Sequence, residues 1–163
     1  MRRLRVRARA APRPGAGRRC ATRPTLGQLL LDADDDAVRV QGADGSWSAL
    51  EYGCTCATCS PCSPNGSSDL AEHDPSSGWW DHEAAIEDGM ANESDAAAVV
   101  DDLGRNAGKL SEALRLVGDD DWDRSATRRD GERFTIELMA RFVLHEVVHH
   151  AADARAALRR AIG

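Results

Sequence analysis

Two stretches in the C-terminal half of the chain carry apolar residues at helical spacing. From Ser94 to Val117, the residues Val99, Leu103, Leu110, Leu114 and Val117 recur one or two helical turns apart, and Ser94 is placed to cap the first turn. Gly104 and Gly108 weaken this helix slightly. A second helix is predicted from Thr135, its cap, nearly to the end of the chain. Glu137 lies early and Arg159 and Arg160 late, as the helix dipole prefers. Leu138, Phe142, His145, His149 and Ala152 share one face of it, the face that this reading turns toward the core. Between the two helices, Asp130-Gly131 is a turn signal that predicts a small hairpin or an ordered loop.

The N-terminal half is less regular. Thr25 to Asp36 (TLGQLLLDADDD) predicts one short helix, QGADGSW is turn material, and Ser46 to Tyr52 starts like a helix, with Ser46 or Ser48 as cap and Glu51 in the first turn. After Gly53 the helical signal stops. Cys54 to Ser68 holds nothing but Cys, Ser, Thr, Pro, Gly and Asn apart from Ala57, and it predicts a loop. Asp81 to Ala91 can form a short helix behind Trp79 and Trp80. Nothing reads as a core strand, so the fold class is all-α.

Charge divides the chain. The first 24 residues hold nine Arg and no acid, interrupted by Pro12, Pro14, Gly15 and Gly17, whereas the rest holds 12 basic residues against 27 acidic ones. Residues 1–24 therefore read as an Arg/Pro-rich disordered tail and residues 25–163 as one helical domain. An acidic domain without an apolar run of about 20 residues argues against nucleic-acid and membrane partners and for a cytoplasmic location. In a reducing cytosol, four cysteines within the nine residues CTCATCSPC raise the question of a metal or redox cluster. The spacing C-x-C-x-x-C-x-x-C suits a zinc or iron–sulfur site, although a second knuckle at a distance is lacking.

A different candidate lies in LHEVVHH, Leu144 to His150. His145 and His149 are one turn apart, so both imidazoles can reach one cation, while His150 lies about 100° round the helix. The string H-E-x-x-H also matches the zinc metallopeptidase motif with Glu146 as general base. That reading needs a third ligand, and the 14 residues after His149 offer one acid, Asp153.

The stretches SWSALEYGC, DHEAAIEDG and RRDGERFTIELMARFVLHEVVHH, with the helix 94 to 117 between the last two, resemble the DinB-like superfamily. The branch they resemble is that of actinobacterial proteins related to mycothiol- and bacillithiol-dependent transferases. The likeness covers residues 46–54 and 70–163. It implies a four-helix bundle holding a divalent metal, zinc or nickel, with three His. Two of these match His145 and His149; the third would follow Cys54, where this chain has Thr55. Cys54, Cys56 or His82 would have to substitute. The implied activity is a metal-dependent thiol S-transferase or isomerase joining a low-molecular-weight thiol to a small-molecule electrophile. A metal-dependent hydrolase and a non-catalytic bundle are the alternatives, and a homodimer is the implied assembly.

The departure at Thr55 coincides with the loss of helical pattern. If the codons from Thr55 onward are regrouped by one base, positions 56, 59, 60, 63 and 67 become apolar whichever G or C is chosen at the free third bases. That is the stripe of an amphipathic helix. Residues 55 to about 68 thus read as an out-of-frame rendering of the second bundle helix, which is expected to be disrupted in this chain, and the Arg-rich start has the same character.

Overall fold

In the computed structural model, residues 25–58, 86, 89–127 and 133–163 are described. The tail 1–24, the cysteine segment from Cys59 onward, His82 and most of the helix expected at 81–91 lie outside them.

Among the described residues, five helices longer than one residue and a pair of short strands follow one another in sequence. Helix α1, Leu26–Asp32, starts on a capping box in which Thr25 and Gln28 satisfy each other's backbone N–H groups. Helix α2, Asp35–Val38, is a single turn capped by Asp34. Helix α3, Ala49–Thr58, leads through a 3₁₀ turn at Met90–Glu93 to α4, Ala96–Arg115. Strands β1, Ser125–Thr127, and β2, Arg133–Thr135, pair antiparallel with Ala126 opposite Phe134. The pairing agrees with the expected hairpin, whose turn signal Asp130-Gly131 lies outside the described residues. Helix α5, Ile136–Ile162, then runs 27 residues, and the Thr135 hydroxyl accepts the Leu138 N–H at 3.1 Å to cap it. No helix among the described residues is long and apolar enough to cross a membrane.

The start of α3 is tied down by a buried polar network. Ser48 and Glu51 form a reciprocal capping box, with the Ser48 N–H donating to Glu51 Oε2 at 2.7 Å and the Glu51 N–H to Ser48 Oγ at 3.1 Å. Glu51, 1% exposed, also accepts from the Gln41 amide at 2.6 Å. The Ser48 hydroxyl donates to Asn92 at 2.7 Å, and Asn92 in turn donates to the Arg39 carbonyl at 2.8 Å, linking α3 to α2 and the 3₁₀ turn. A buried carboxylate persists here because its oxygens are met by donors.

Helix α3 continues five residues past Gly53, where sequence pattern alone predicts a loop. Two features explain the difference. Cys54, Cys56 and Ala57 are small and apolar enough to join the core, and the amide of buried Asn106 on α4 donates to the Ala57 carbonyl at 2.8 Å. Tertiary packing thus overrides a weak local preference. The core gathers Leu26 and Leu30 of α1, Val38 of α2, Ala49, Leu50 and Ala57 of α3, Val99 of α4, and Ala154, Ala157 and Leu158 of α5. A smaller cluster joins Leu110 to Val143.

The orientation of α5 differs from expectation. Leu138 and Phe142 are 47% and 40% exposed, and His145, His149 and Ala152 are exposed with them. The buried stripe is Val143, His150, Ala154, Ala157 and Leu158, with Val147 and Ala151 partly buried. Both stripes have helical spacing. The one that packs inward buries one imidazole instead of two, and its alanines let α3 approach closely, so it costs less desolvation.

Candidate metal centre on helix α5

Helices α3 and α5 run antiparallel, with Arg160 donating to the Ser46 hydroxyl at 3.0 Å and His150 packed on Tyr52. The His150 ring lies 6.0 Å from Trp47 and 5.4 Å from Tyr52, centroid to centroid, in an aromatic pocket furnished by the segment that enters α3 and by its first turn. Burial in that pocket, with Asp153 nearby, pushes the Tyr52 hydroxyl above its ordinary pKa.

Around His150 the α5 turn brings further donors together. Glu146 Oε2 sits 3.4 Å from His150 Nε2, and Asp153 Oδ2 sits 2.7 Å from His149 Nδ1. One ligand atom each from His149, His150 and Asp153 lies within 4.8 Å of the others. Two imidazoles and a carboxylate form the donor set of a borderline divalent ion such as zinc or nickel. The residues present therefore fit a metal, on a half-exposed edge of α5.

The sequence-predicted ligands divide. His145 and His149 face each other at 5.9 Å between ring centroids, close enough for one ion, but on the solvent side of α5. There they line an open groove of about 450 Å³ with Arg141, Leu144, Val148 and Ala152. Thr55 is fully buried on α3, and continuing the antiparallel register from Tyr52 brings it level with the turn that carries Glu146. Its hydroxyl has no hydrogen-bond partner among the described residues. A neutral hydroxyl is a weak donor for such metals, so α3 contributes no ligand at this position. Cys54 turns elsewhere: its thiol donates to the Ala91 carbonyl at 3.5 Å, and burial raises its pKa, keeping it protonated. Cys56 is 4% exposed within the core.

Position 55 yields a direct test. Thr55→Val removes a buried hydroxyl without a partner and keeps the branched shape, so the variant is expected to be about 1 kcal/mol more stable in urea unfolding. A variant less stable than the parent would show that the hydroxyl is bonded in solution.

His150 and Asp153 are both visible beside the H-E-x-x-H string, but the sequence does not mark them as a site. The signal for His150 is the second stripe, Val143, Val147, His150 and Ala154, which has helical spacing as the His145 stripe does; Asp153 lies one turn beyond His149.

A helical bundle with a cluster of metal-donor side chains on its last helix is the class of protein that this architecture defines. The family profile of the DinB superfamily matches residues 21–154, and the chain belongs to that superfamily. Among solved structures, the fold is similar to YfiT from Bacillus subtilis, described as a probable metal-dependent hydrolase with an unusual four-helix bundle topology. The two superpose with a TM-score of 0.73 at 22% identity, over 83% of this chain and 78% of that one. Comparison with curated proteins returned no match.

Proposed function

We propose that the protein is a metal-dependent enzyme in which His149, His150 and Asp153 hold a divalent ion, zinc or nickel. The observation that carries this reading is the approach of their three ligand atoms to within 4.8 Å of one another. Bound there, the ion would act as a Lewis acid that lowers the pKa of a nucleophile. The finer reading is a cytoplasmic S-transferase or isomerase that uses a low-molecular-weight thiol of the mycothiol type and a small-molecule electrophile. Neither nucleic acid nor a membrane enters this reading. Trp47 and Tyr52 pack against the His150 ring and would exclude water from its inner side, and Glu146 Oε2 lies 3.4 Å from its Nε2. The apolar groove beside His149, with Arg141 at its rim, offers space for an organic substrate. Hydrolysis is the second reading, favoured by the likeness of fold to YfiT.

Calorimetric titration with Zn²⁺ and Ni²⁺ tests the metal. One ion per chain is expected, with the same stoichiometry in a Cys59→Ser, Cys62→Ser variant that leaves Cys54 and Cys56 in place. Absence of binding would remove both enzymatic readings and leave a non-catalytic bundle. Where the ion binds, thiol consumption with a model electrophile against hydrolysis of a model ester separates transferase from hydrolase.

A further inference from the structure

The groove of about 450 Å³ on the outward side of α5 is lined by Arg141, Leu144, His145, Val148, His149 and Ala152. These positions fall on one strip of the helix surface. From Leu144 to Ala152 the strip runs about 12 Å along the axis, by the helical rise. Its volume is that of a small-molecule pocket.

The floor of the strip is aliphatic. Leu144 and Val148 are 66% and 62% exposed, and Ala152 lies open beside them. Apolar side chains left this open on one helix face mark a contact surface. The chain holds 27 acidic residues against 21 Lys and Arg, yet none of the described lining residues is acidic. Arg141 supplies the formal charge, at the end of the strip nearest the start of α5. One guanidinium at one end of an apolar strip is complementary to a monoanion that carries an apolar chain, and the planar fork of arginine matches a carboxylate.

The nearest acids set the direction of binding. At the Arg141 end, Glu137 Oε1 accepts from Nη2 at 2.6 Å, one turn back along the helix. Both side chains are exposed, and an exposed pair one turn apart contributes little, so a ligand carboxylate can displace Glu137 or share the fork with it. At the other end Asp153 lies 2.7 Å from His149 Nδ1, and a carboxylate placed there would meet a like charge. The anionic end therefore belongs at Arg141 and the chain at Ala152.

We propose that this groove binds an organic monocarboxylate with an apolar chain, its carboxylate on Arg141 and its chain along Leu144, Val148 and Ala152. The inference names the substrate class of the proposed enzyme and rests on that reading for its role, though not for the binding itself. An acid bound this way brings its chain, and not its carboxylate, beside His149, so its reacting carbon is remote from the carboxylate.

Calorimetric titration of the full chain in EDTA, with octanoate against octanol, tests the proposal. Octanoate is expected to bind saturably, one per chain, and at least about tenfold more tightly than octanol. Arg141→Gln is expected to reduce octanoate to the level of octanol while leaving octanol binding and the urea midpoint unchanged. Glu137→Gln releases the guanidinium and is expected to tighten octanoate about two- to fivefold, a gain that a purely structural Arg141 would not produce. Val148→Glu puts an acid in the floor and is expected to weaken both probes. No saturable octanoate binding, the result if a second copy or another part of the chain covers the strip, overturns the proposal. So does octanol binding as tightly as octanoate, or octanoate binding undiminished in Arg141→Gln. Octanoate binding by a chain that takes up no Zn²⁺ would remove the enzymatic reading alone, and Zn²⁺ binding without octanoate binding would remove this inference alone.

Discussion

Gly53→Val is expected to destabilise the protein by roughly 2 to 3 kcal/mol, read as a lower urea midpoint with an unchanged m-value. Gly53 lies in the middle of α3, where glycine is a poor choice on propensity, costing about 1 kcal/mol relative to alanine. Its presence is explained by the closeness of α1 and α4. A Cβ at this position would stand 2.6 Å from Leu30 Cδ1 and 3.4 Å from Val99 Cγ1. Leu30 is 2% exposed, so its methyl group has little room to retreat. Alanine adds one carbon and recovers helical propensity, so Gly53→Ala is expected to fall within about 1 kcal/mol of the parent, the clash and the propensity opposing each other. Valine adds two further carbons and a restricted χ1 with no propensity gain of that size, so the overpacking dominates. A valine variant with the parent's midpoint would mean that α1 and α3 stand further apart in solution.

The long helices were legible in sequence because their signals are redundant. Val99 and Leu110 recur at helical spacing and are buried, and Thr135 caps α5 as expected. The cap of α4 is Asp95, one residue beyond the Ser94 that the pattern favours. What pattern could not decide was which of two equivalent stripes on α5 packs inward. Periodicity fixes the spacing of a face, not its partner, and both stripes mix apolar residues with histidine. The deciding quantities are tertiary: the close approach of α3, and the aromatic pair Trp47 and Tyr52 that receives one imidazole. Of the loop expected from Cys54 to Ser68, residues 54–58 are helical for a related reason, and the remainder lies outside the described residues. Cys54 and Cys56 read as chemistry in the sequence, yet in the fold they act as small apolar residues of the core. Thr55 stands out in both, as the departure from the family's third ligand in sequence and as a fully buried polar side chain on a helix in the fold.

The largest functional effect is expected at His150. His150→Phe should weaken Zn²⁺ binding at the His149, His150 and Asp153 site by about 100-fold or more, roughly 3 kcal/mol, while leaving the fold intact. The two consequences separate because the imidazole does two jobs. As a flat ring it packs against Trp47 and Tyr52, at 6.0 Å and 5.4 Å between centroids, and phenylalanine can fill that space without a polar edge to satisfy. As a donor it brings one of the three ligand atoms that lie within 4.8 Å of one another, and phenylalanine brings none. Removing it leaves two of the three donors, His149 and Asp153, which share a 2.7 Å contact with each other and hold an ion less tightly than the full set. His150→Ala loses the ligand and the packing together, so it should bind as poorly as the phenylalanine variant and also unfold at lower urea. Calorimetry on the two variants beside their unfolding curves tells the roles apart. Zinc affinity equal to the parent's in His150→Phe would show that the buried histidine is a packing residue and that the metal, if bound, is held by the exposed pair His145 and His149.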